Sequence, residues 1–473
     1  MTEYLFTLMA GLAAIALPIV GVLVVLGLAD MNRNRKNGFL HLTPYAILLT
    51  AAADTLFKGR SLDNYSELFG ATIERGPANM WLIRLVTVFL LLASLERIVA
   101  AARIHRHLLG SKPLLTWCFG LFWLGSVGLN MAVSTHPYFA HEYFYSLVLG
   151  LGVLSLTPEE AKKLMLAFRN ALVLFLAASF LLILIKPSLV LEMSYSQGYI
   201  PGLPRMAGLA IHAVTLGQLS LLAVLLLIVF PIQNRWVQRA AFVMGLVAFF
   251  IAQSKTAWIS ALLCIPAIFW YRRKLKLNNN PRLKQYATLP LLAGIIISLG
   301  FVIAVFAFAG LGNTLERFFS SSEGSQLTSL TGRDVIWDFA LAEWAKYPIL
   351  GYGPQFLNLE QRMSIGMLNA THAHNQFVDL LARSGMVGLL SVVPYLVVIC
   401  VMVRKVELAY KGIALAFLLA VLLRCISEVP LTLYGYSVEL LMQFGLLAIL
   451  LMSQQKVIND PIQTNLRTKD RVF

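Results

Sequence analysis

The sequence predicts an all-α fold, a polytopic transmembrane helical bundle of about 12–13 spans with one long, partly helical loop outside the membrane. Of the 473 residues, 58% are hydrophobic and only 13% are charged, whereas soluble domains carry about 25% charged residues. This composition excludes a soluble enzyme and intrinsic disorder. The four cysteines lie within apolar runs and are expected to be buried hydrophobes, not disulfide or metal partners: Cys118, Cys264, Cys400 and Cys425.

The predicted spans are apolar segments that approach or reach the length needed to cross about 30 Å of hydrocarbon. They lie at 5–28, 43–57, 80–96, 113–133, 142–157, 170–186, 213–231, 240–253, 257–271, 287–310, 385–403, 412–427 and 435–453. Met1–Tyr4 offers no basic region, so the first segment is expected to stay in the membrane. The segment 43–57 contains Asp54, and the first stretch could instead break at Pro18. Twelve spans is therefore the alternative.

The arrangement of Lys and Arg predicts which face is cytoplasmic. These residues concentrate in alternate loops, such as the basic run Tyr271–Lys276, and basic loops stay in the cytoplasm. The net charge of +15 is spread over these loops, so no nucleic-acid-binding face is predicted. The resulting organisation is 1–310 for the N-terminal transmembrane helices, 311–384 for the long outer loop, 385–453 for the C-terminal transmembrane helices and 454–473 for a cytoplasmic tail.

The long outer loop is expected to be ordered because it contains several Trp and Tyr residues. A helix is predicted from Thr331 to Tyr347, with Thr331 or Ser329 as its cap and Pro348 ending it. Its predicted apolar face comprises Val335, Phe339, Leu341 and Trp344. A second helix should start near His374 and run into the next span.

Candidate functional residues are ionisable groups at the outer ends of spans or in this loop, where charge is costly. His372 and His374 could accept a proton from a hydroxyl or orient a phosphate oxygen. The alternatives are an interfacial His pair or a metal site, for which no third ligand is evident nearby. Arg333 begins the predicted loop helix, where an anion is favoured, although an ion pair with Asp334 or Asp338 is an equal alternative.

Further cations are expected on the same face. Arg205 follows a Pro- and Gly-rich loop, and His212 would lie about two helical turns deeper on the same cavity wall. Lys255 occupies a tight turn between two spans, and Arg424 is expected to pair with Glu428 four residues on. These cations have no evident matching carboxylate cluster. The pattern indicates an anionic substrate carried in the membrane, such as a diphosphate-linked lipid.

Nucleotide-driven chemistry is not expected, because the sequence has no P-loop and no dinucleotide fingerprint. The motifs resemble instead the O-antigen ligase and Wzy-type polysaccharide polymerase superfamily of bacterial inner-membrane glycosyltransferases. The resemblance covers about 205–390 and lies in His374-Asn375 followed after nine residues by Gly385-Met386-Val387-Gly388, Leu330–Arg333 with Tyr347–Gly353, Arg205–Gly208 with His212, and Ser254-Lys255-Thr256. Leu389 replaces the Thr often found after the second Gly.

The resemblance implies an inverting transfer of glycan from undecaprenyl diphosphate to a hydroxyl, on the periplasmic face of the inner membrane, without metal or other cofactor. Arg205 and Arg333 would neutralise the diphosphate and His374 would orient or deprotonate the acceptor. Asn375 would fix the His ring or cap the next helix. Lys255, His212, His372 and Arg424 would complete the substrate-binding site.

The acceptor separates three interpretations. In a polymerase the acceptor is a repeat unit on a second lipid diphosphate, and Leu389 together with the extra cations Lys255 and Arg362 favours this hypothesis. In a ligase the acceptor is lipid A core or a protein hydroxyl. A transporter or flippase is the alternative from a different class. The expected partners are the lipid-linked glycan donor, the glycan or lipid A core acceptor and the bilayer, with a chain-length regulator as a further candidate.

Overall fold

The computed structural model describes residues 21–27, 38–57, 62, 76–105, 112–193, 203–279, 333–368 and 370–452. The structure is mostly helical with almost no strands, as the composition predicts. Its first helices are α1 Thr43–Phe57, α2 Pro77–His105, α3 Pro113–Val133, α4 Tyr143–Leu154, α5 Pro158–Ile185 and the short α6 Pro187–Val190. The later ones are α7 Ala213–Val229, α8 Arg235–Ile251, α9 Lys255–Asn279, α10 Arg333–Lys346, α11 Leu359–Ser364, α12 Gln376–Lys405, α13 Leu408–Ser427 and α14 Glu439–Leu451.

Six helical segments within the described ranges are long and apolar enough to cross a membrane: Phe39–Phe57, Pro77–Arg103, Pro113–Val133, Pro158–Ile185, Gln376–Lys405 and Leu408–Ser427. Each coincides with a predicted span. The predicted spans 142–157 and 435–453 are shorter than expected, since α4 has 12 residues and α14 has 13. Residues 287–310 and most of 5–28 lie outside the described residues, so the total number of spans stays a prediction.

The apolar core lies between helices from the first half of the chain and the later helices, α9 to α14, most of which carry or adjoin the sequence motifs. Helix α9 packs along α13, and α12 packs against α3 and α10. Small residues permit close contact, because a Cβ added to Gly445 would lie 2.7 Å from the Phe417 ring. The four cysteines are free, and Cys118, Cys264 and Cys425 are buried. The prediction that all four are buried therefore holds for three, and Cys400 is half-buried.

A buried cluster of charged side chains lies in the first half of the bundle. Arg97 binds both Glu96 and Glu160, and all three are buried. Glu160 also completes a capping box with Thr157 at the start of α5. This cluster joins α2 to α5 and involves none of the predicted site residues.

Helix α12 is broken at Gly385, where the chain takes the left-handed conformation with φ of 59°. The break exposes backbone groups that bind the segment Pro348–Gly353. Met386 N donates to Pro348 O at 2.9 Å, and Gly353 N donates to Arg383 O at 3.0 Å. The two glycine-containing motifs, Tyr347–Gly353 and Gly385–Gly388, therefore form one backbone-to-backbone junction next to the loop that carries His374.

Replacing Gly385 with Ala should destabilise this junction. A Cβ there would lie 2.3 Å from Ile349 O, and a positive φ is strained for Ala, so we expect a loss of about 1–3 kcal/mol in the free energy of unfolding. Thermal unfolding of the detergent-purified protein measures it. Gly120→Ala is the control because a Cβ there meets nothing within 4 Å. Equal melting temperatures for the two variants would contradict the assignment.

Candidate functional site

The site forms where four helix ends meet. Helices α9, α10 and α12 begin there and α13 ends there. Thr256 Oγ1 lies 3.2 Å from Ser427 Oγ, Asn375 Nδ2 donates to Ile426 O at 3.3 Å, and Trp337 Nε1 donates to Ala373 O at 2.7 Å. These bonds join α9 to α13, α13 to the start of α12, and α10 to the His loop. Three helix N-termini thus lie at one place, and each favours an anion.

Glu428, the residue that follows α13, is at the centre of the site. Its Oε2 lies 3.1 Å from His374 Nδ1 and 3.7 Å from His372 Nε2. Its Oε1 lies 3.7 Å from Arg333 Nη2. The carboxylate is only 13% exposed. Two predicted catalytic residues, Arg333 and His374, therefore share one buried anion.

The predicted pairing of Arg424 with Glu428 is wrong. Arg424 is buried, and its Nε donates to Glu439 Oε2 at 2.7 Å. The i,i+4 rule requires both residues to be helical, but α13 ends at Ser427 and Glu428 has extended backbone. The expectation that the cations lack matching carboxylates is also wrong. Each of three arginines forms an ion pair: Arg333 with Glu428, Arg424 with Glu439 and Arg205 with Glu192. Arg333 pairs with neither Asp334 nor Asp338 among the described contacts but with Glu428.

Electrostatics determine the charge of Glu428, and hydrogen bonding determines the tautomer of His374. Burial alone would raise the pKa of Glu428, but the hydrogen bond and charge of His374 together with Arg424 and His372 outweigh it and lower the pKa to about 2. An ionised carboxylate only accepts hydrogen bonds, so the proton of neutral His374 lies on Nδ1. Its Nε2 then carries a lone pair and can accept a proton.

His372 has a different environment. Burial and the neighbouring His374 lower the pKa of His372 to about 4, so this ring is neutral at pH 7. Its Nδ1 accepts a hydrogen bond from His374 N at 3.2 Å. That bond supports the backbone of His374, whose φ is 48°. His372 therefore helps to position His374 and, as a neutral ring at pH 7, adds no positive charge to the site.

Asp379 and Arg383 hold the loop that carries both His residues. Asp379 Oδ1 accepts from Ala373 N at 3.0 Å, and its Oδ2 accepts from Arg383 Nε at 2.9 Å. Arg383 also donates to Thr371 O and Pro354 O, both at 2.8 Å. This pair was not among the predicted site residues, although its i,i+4 spacing at a helix start was a usable signal.

Arg205 reaches the site through the turn before α9. It lies in a two-residue strand, Arg205–Met206, antiparallel to Leu191–Glu192. Its Nη1 is 3.6 Å from Glu192 Oε2, and its Nε donates to Ala252 O at 3.2 Å. Lys255, three residues after Ala252, lies close enough to Arg333 for their charges to interact. Arg205 therefore contacts the turn before α9, and burial together with the charge of Arg333 lowers the pKa of Lys255 at the start of that helix.

His212 is not two helical turns deeper than Arg205. The residues between them are not helical, because the strand pairing and a left-handed Gly208, with φ of 57°, turn the chain. His212 is instead the N-cap position of α7 and is exposed. Asn375 caps α12, as one of the two alternatives predicts, since its Oδ1 accepts from Phe377 N at 3.0 Å and Val378 N at 3.2 Å.

The loop helix is confirmed, but its predicted apolar face is only partly right, since Phe339 packs against the apolar cluster and other predicted members do not. Its buried residues are Ile336, Ala340 and Glu343, whereas Val335 is 42% and Leu341 39% exposed. Helix α10 is rotated because Ile336 and Ala340 pack with Phe356, Ala373 and Ala382 beneath the His loop. The caps proposed at Ser329 and Thr331 lie outside the described residues.

The positions of His372, His374 and Glu428 are also relevant to metal binding. Ligand atoms of His372, His374 and Glu428 all lie within 4.8 Å of one another, so the expectation that no third ligand lies nearby is wrong. Three donors can hold a divalent ion. However, Arg333 and Lys255 beside them oppose a cation and favour an anion. Metal independence stays a prediction.

Comparison with known families supports the resemblance. Residues 240–393 match the family model described as O-Antigen ligase. The match supports the O-antigen ligase and Wzy superfamily. The matched segment contains Lys255, Arg333, His374 and the Gly385 junction, while Arg205 lies before it. A search of curated proteins finds no match to the chain. The family supports glycan transfer of the Wzy and ligase type on a multi-pass membrane protein.

The lowered pKa of His372 predicts a pH effect on stability. In the unfolded chain a His takes up its proton near pH 6.5, but folded His372 resists it until about pH 4. The unfolded state therefore binds more protons between these values, and stability should fall as the pH drops from about 6.5 to 4. His372→Gln should show a smaller fall in melting temperature over this interval. An identical fall in both proteins would contradict the assignment.

Proposed function

We propose that this chain is an inverting glycosyltransferase that moves an oligosaccharide from undecaprenyl diphosphate to a hydroxyl acceptor on the periplasmic face of the bacterial inner membrane. The observation that carries the proposal is the His374–Glu428 contact of 3.1 Å beside the cations Arg333 and Lys255. It puts a proton acceptor and an anion-binding region in one place. The family match at 240–393 supports the reaction class.

His374 is the proton acceptor in this proposal. Glu428 fixes the Nδ1–H tautomer and stabilises the imidazolium that forms when Nε2 takes the hydroxyl proton. The acceptor oxygen then bonds to the anomeric carbon from the face opposite the diphosphate. The carbon–oxygen bond to the diphosphate breaks, its electron pair leaves with the diphosphate, and the configuration inverts.

The cations act on the leaving diphosphate. Its negative charge increases as the bond breaks, so attraction to Arg333 and Lys255 is stronger in the transition state than with bound donor. The N-termini of α9 and α10, where these residues lie, add backbone N–H groups of the same polarity. Arg205, beside Ala252, extends this positive region.

The periplasmic location is supported by the direction of the helices. Helix α9 leaves the site and carries the basic run Tyr271–Lys276 near its far end, α12 leaves the site and ends with Arg404 and Lys405, and α13 returns to the site. Basic segments at span ends favour the cytoplasmic side, which supports a site on the opposite face. The cations of the site lie at the starts of helices and not at the middle of spans, which favours surface chemistry over a transport pathway.

The preferred form of the function is a polymerase, with a ligase as the second candidate. A polymerase must accommodate two lipid diphosphates, and Lys255 beside Arg333 supplies cationic charge for this. Leu389, at the position where the family usually has Thr, also favours a polymerase. Arg362 gives no such support, because its Nη1 donates to Leu368 O at 2.8 Å within its own turn.

The decisive experiment supplies a defined lipid-linked repeat unit to the purified protein in liposomes without nucleotide. Chains of several repeats on lipid diphosphate support a polymerase, and transfer that requires added lipid A core supports a ligase. No glycan product with either acceptor contradicts the proposal and leaves a transporter as the remaining class. A deletion strain gives the matching cellular result, with single-repeat surface glycan for a polymerase and lipid-linked chains accumulating for a ligase.

His374→Ala should lower transfer by about 10²–10⁴-fold, the usual contribution of a general base, and Arg333→Ala should have a comparable effect. Both proteins should remain in the membrane, which fractionation and size-exclusion chromatography check. His141→Ala is the matched control, since the His141 side chain is 75% exposed and makes no described contact with the site. Full activity in His374→Ala would remove it from the mechanism.

Metal independence is tested separately. Because Arg333 and Lys255 disfavour a cation beside His372, His374 and Glu428, treatment with EDTA should leave the rate of transfer unchanged. Assaying the treated protein with and without added Zn²⁺ or Mg²⁺ measures this. Loss of activity on chelation, restored by one of these ions, would show that the three side chains hold a required metal.

A further inference from the structure

We infer that Glu428 competes with the lipid diphosphate for the same cations, so that its charge limits the affinity of the site for the diphosphate product. This inference rests on the proposed function and adds a device for product release. Its basis is the position of a buried carboxylate between Arg333 and the two His residues, in a region otherwise built to receive an anion.

The Glu428 carboxylate lies in an electrostatically unfavourable position. It lies at the C-terminal end of α13, where the helix dipole opposes negative charge, and it is 13% exposed. The chain holds it there through Glu428 N, which donates to Arg424 O at 2.7 Å. The compensation comes from His374 and the neighbouring Arg side chains, of which Arg333 is also the group that a diphosphate would use.

The contact between Glu428 and Arg333 is long enough for Arg333 to exchange this carboxylate for a diphosphate. At 3.7 Å the Glu428–Arg333 pair is longer than a charge-assisted hydrogen bond, which measures about 2.7–2.9 Å. The Arg333 side chain is 26% exposed. A diphosphate that hydrogen-bonds to Arg333 therefore lies next to Glu428, and the two anions repel one another.

The reaction cycle changes the strength of that repulsion. When His374 takes the acceptor proton, the imidazolium lies 3.1 Å from Glu428 and balances its charge while the diphosphate is leaving. When His374 later gives that proton to water, Glu428 is no longer balanced. The product diphosphate carries more negative charge than the donor had, so it is repelled most strongly at this point and dissociates.

Binding of farnesyl diphosphate, measured by calorimetry on the purified protein in nanodiscs without any acceptor, tests this. Glu428→Gln removes the charge and keeps the shape, so it should bind farnesyl diphosphate about tenfold more tightly, with a smaller gain for farnesyl monophosphate. Glu428→Asp keeps the charge and should resemble the wild type. Glu360→Gln is the matched control, because Glu360 is an exposed carboxylate outside the site.

The inference is overturned if Glu428→Gln binds farnesyl diphosphate no more tightly than the wild type, or gains only as much as Glu360→Gln. Glu428→Asn is prepared in parallel, so that one folded neutral variant, verified by size-exclusion chromatography, decides the result. Because no glycan is transferred in this assay, its outcome is independent of the transfer experiment. Tighter binding by a protein that makes no glycan product would retain the anion competition and reject the glycosyltransferase.

Discussion

The site depends on one largely buried, ionised carboxylate, at which three separate parts of the chain meet. Glu428 follows α13, while His372 and His374 come from the loop before α12 and Arg333 begins α10. A buried carboxylate without partners is strongly unfavourable. The convergence of these segments is therefore an energetic requirement of the fold, and it also produces the proton acceptor and the anion-binding region.

The second constraint is the backbone junction beneath that carboxylate. The break at Gly385 lets α12 bind Pro348–Gly353, and this fixes the distance between the end of α10 and the start of α12. Asp379 and Arg383 then hold the His loop from below. Without a left-handed residue at the break, α12 would continue as an ordinary helix and the segment carrying Tyr352 would lose its backbone partners.

Sequence patterns predicted those parts of the fold that local physics determines. Apolar runs gave the positions of the helices, because any helix in lipid must cover about 30 Å, and the His374-Asn375 motif gave the start of α12. Glu428 was missed because the spacing from Arg424 implies pairing on one helix, and only the end of α13 at Ser427 removes that geometry. The buried face of α10 was missed because it is set by packing against the His loop, not by its own periodicity.

The depth of the charges distinguishes the proposed reaction from transport. A carrier needs its ionisable groups at the middle of the bilayer, on helices interrupted there. Here the charges of the site lie where Lys255 and Arg333 begin helices and Glu428 ends one, and the paired Arg424 is bound by Glu439 one turn further in. A lipid diphosphate arrives at this same level, since its head group stays at the membrane surface. The arrangement therefore fits chemistry performed on a lipid head group at one face of the membrane.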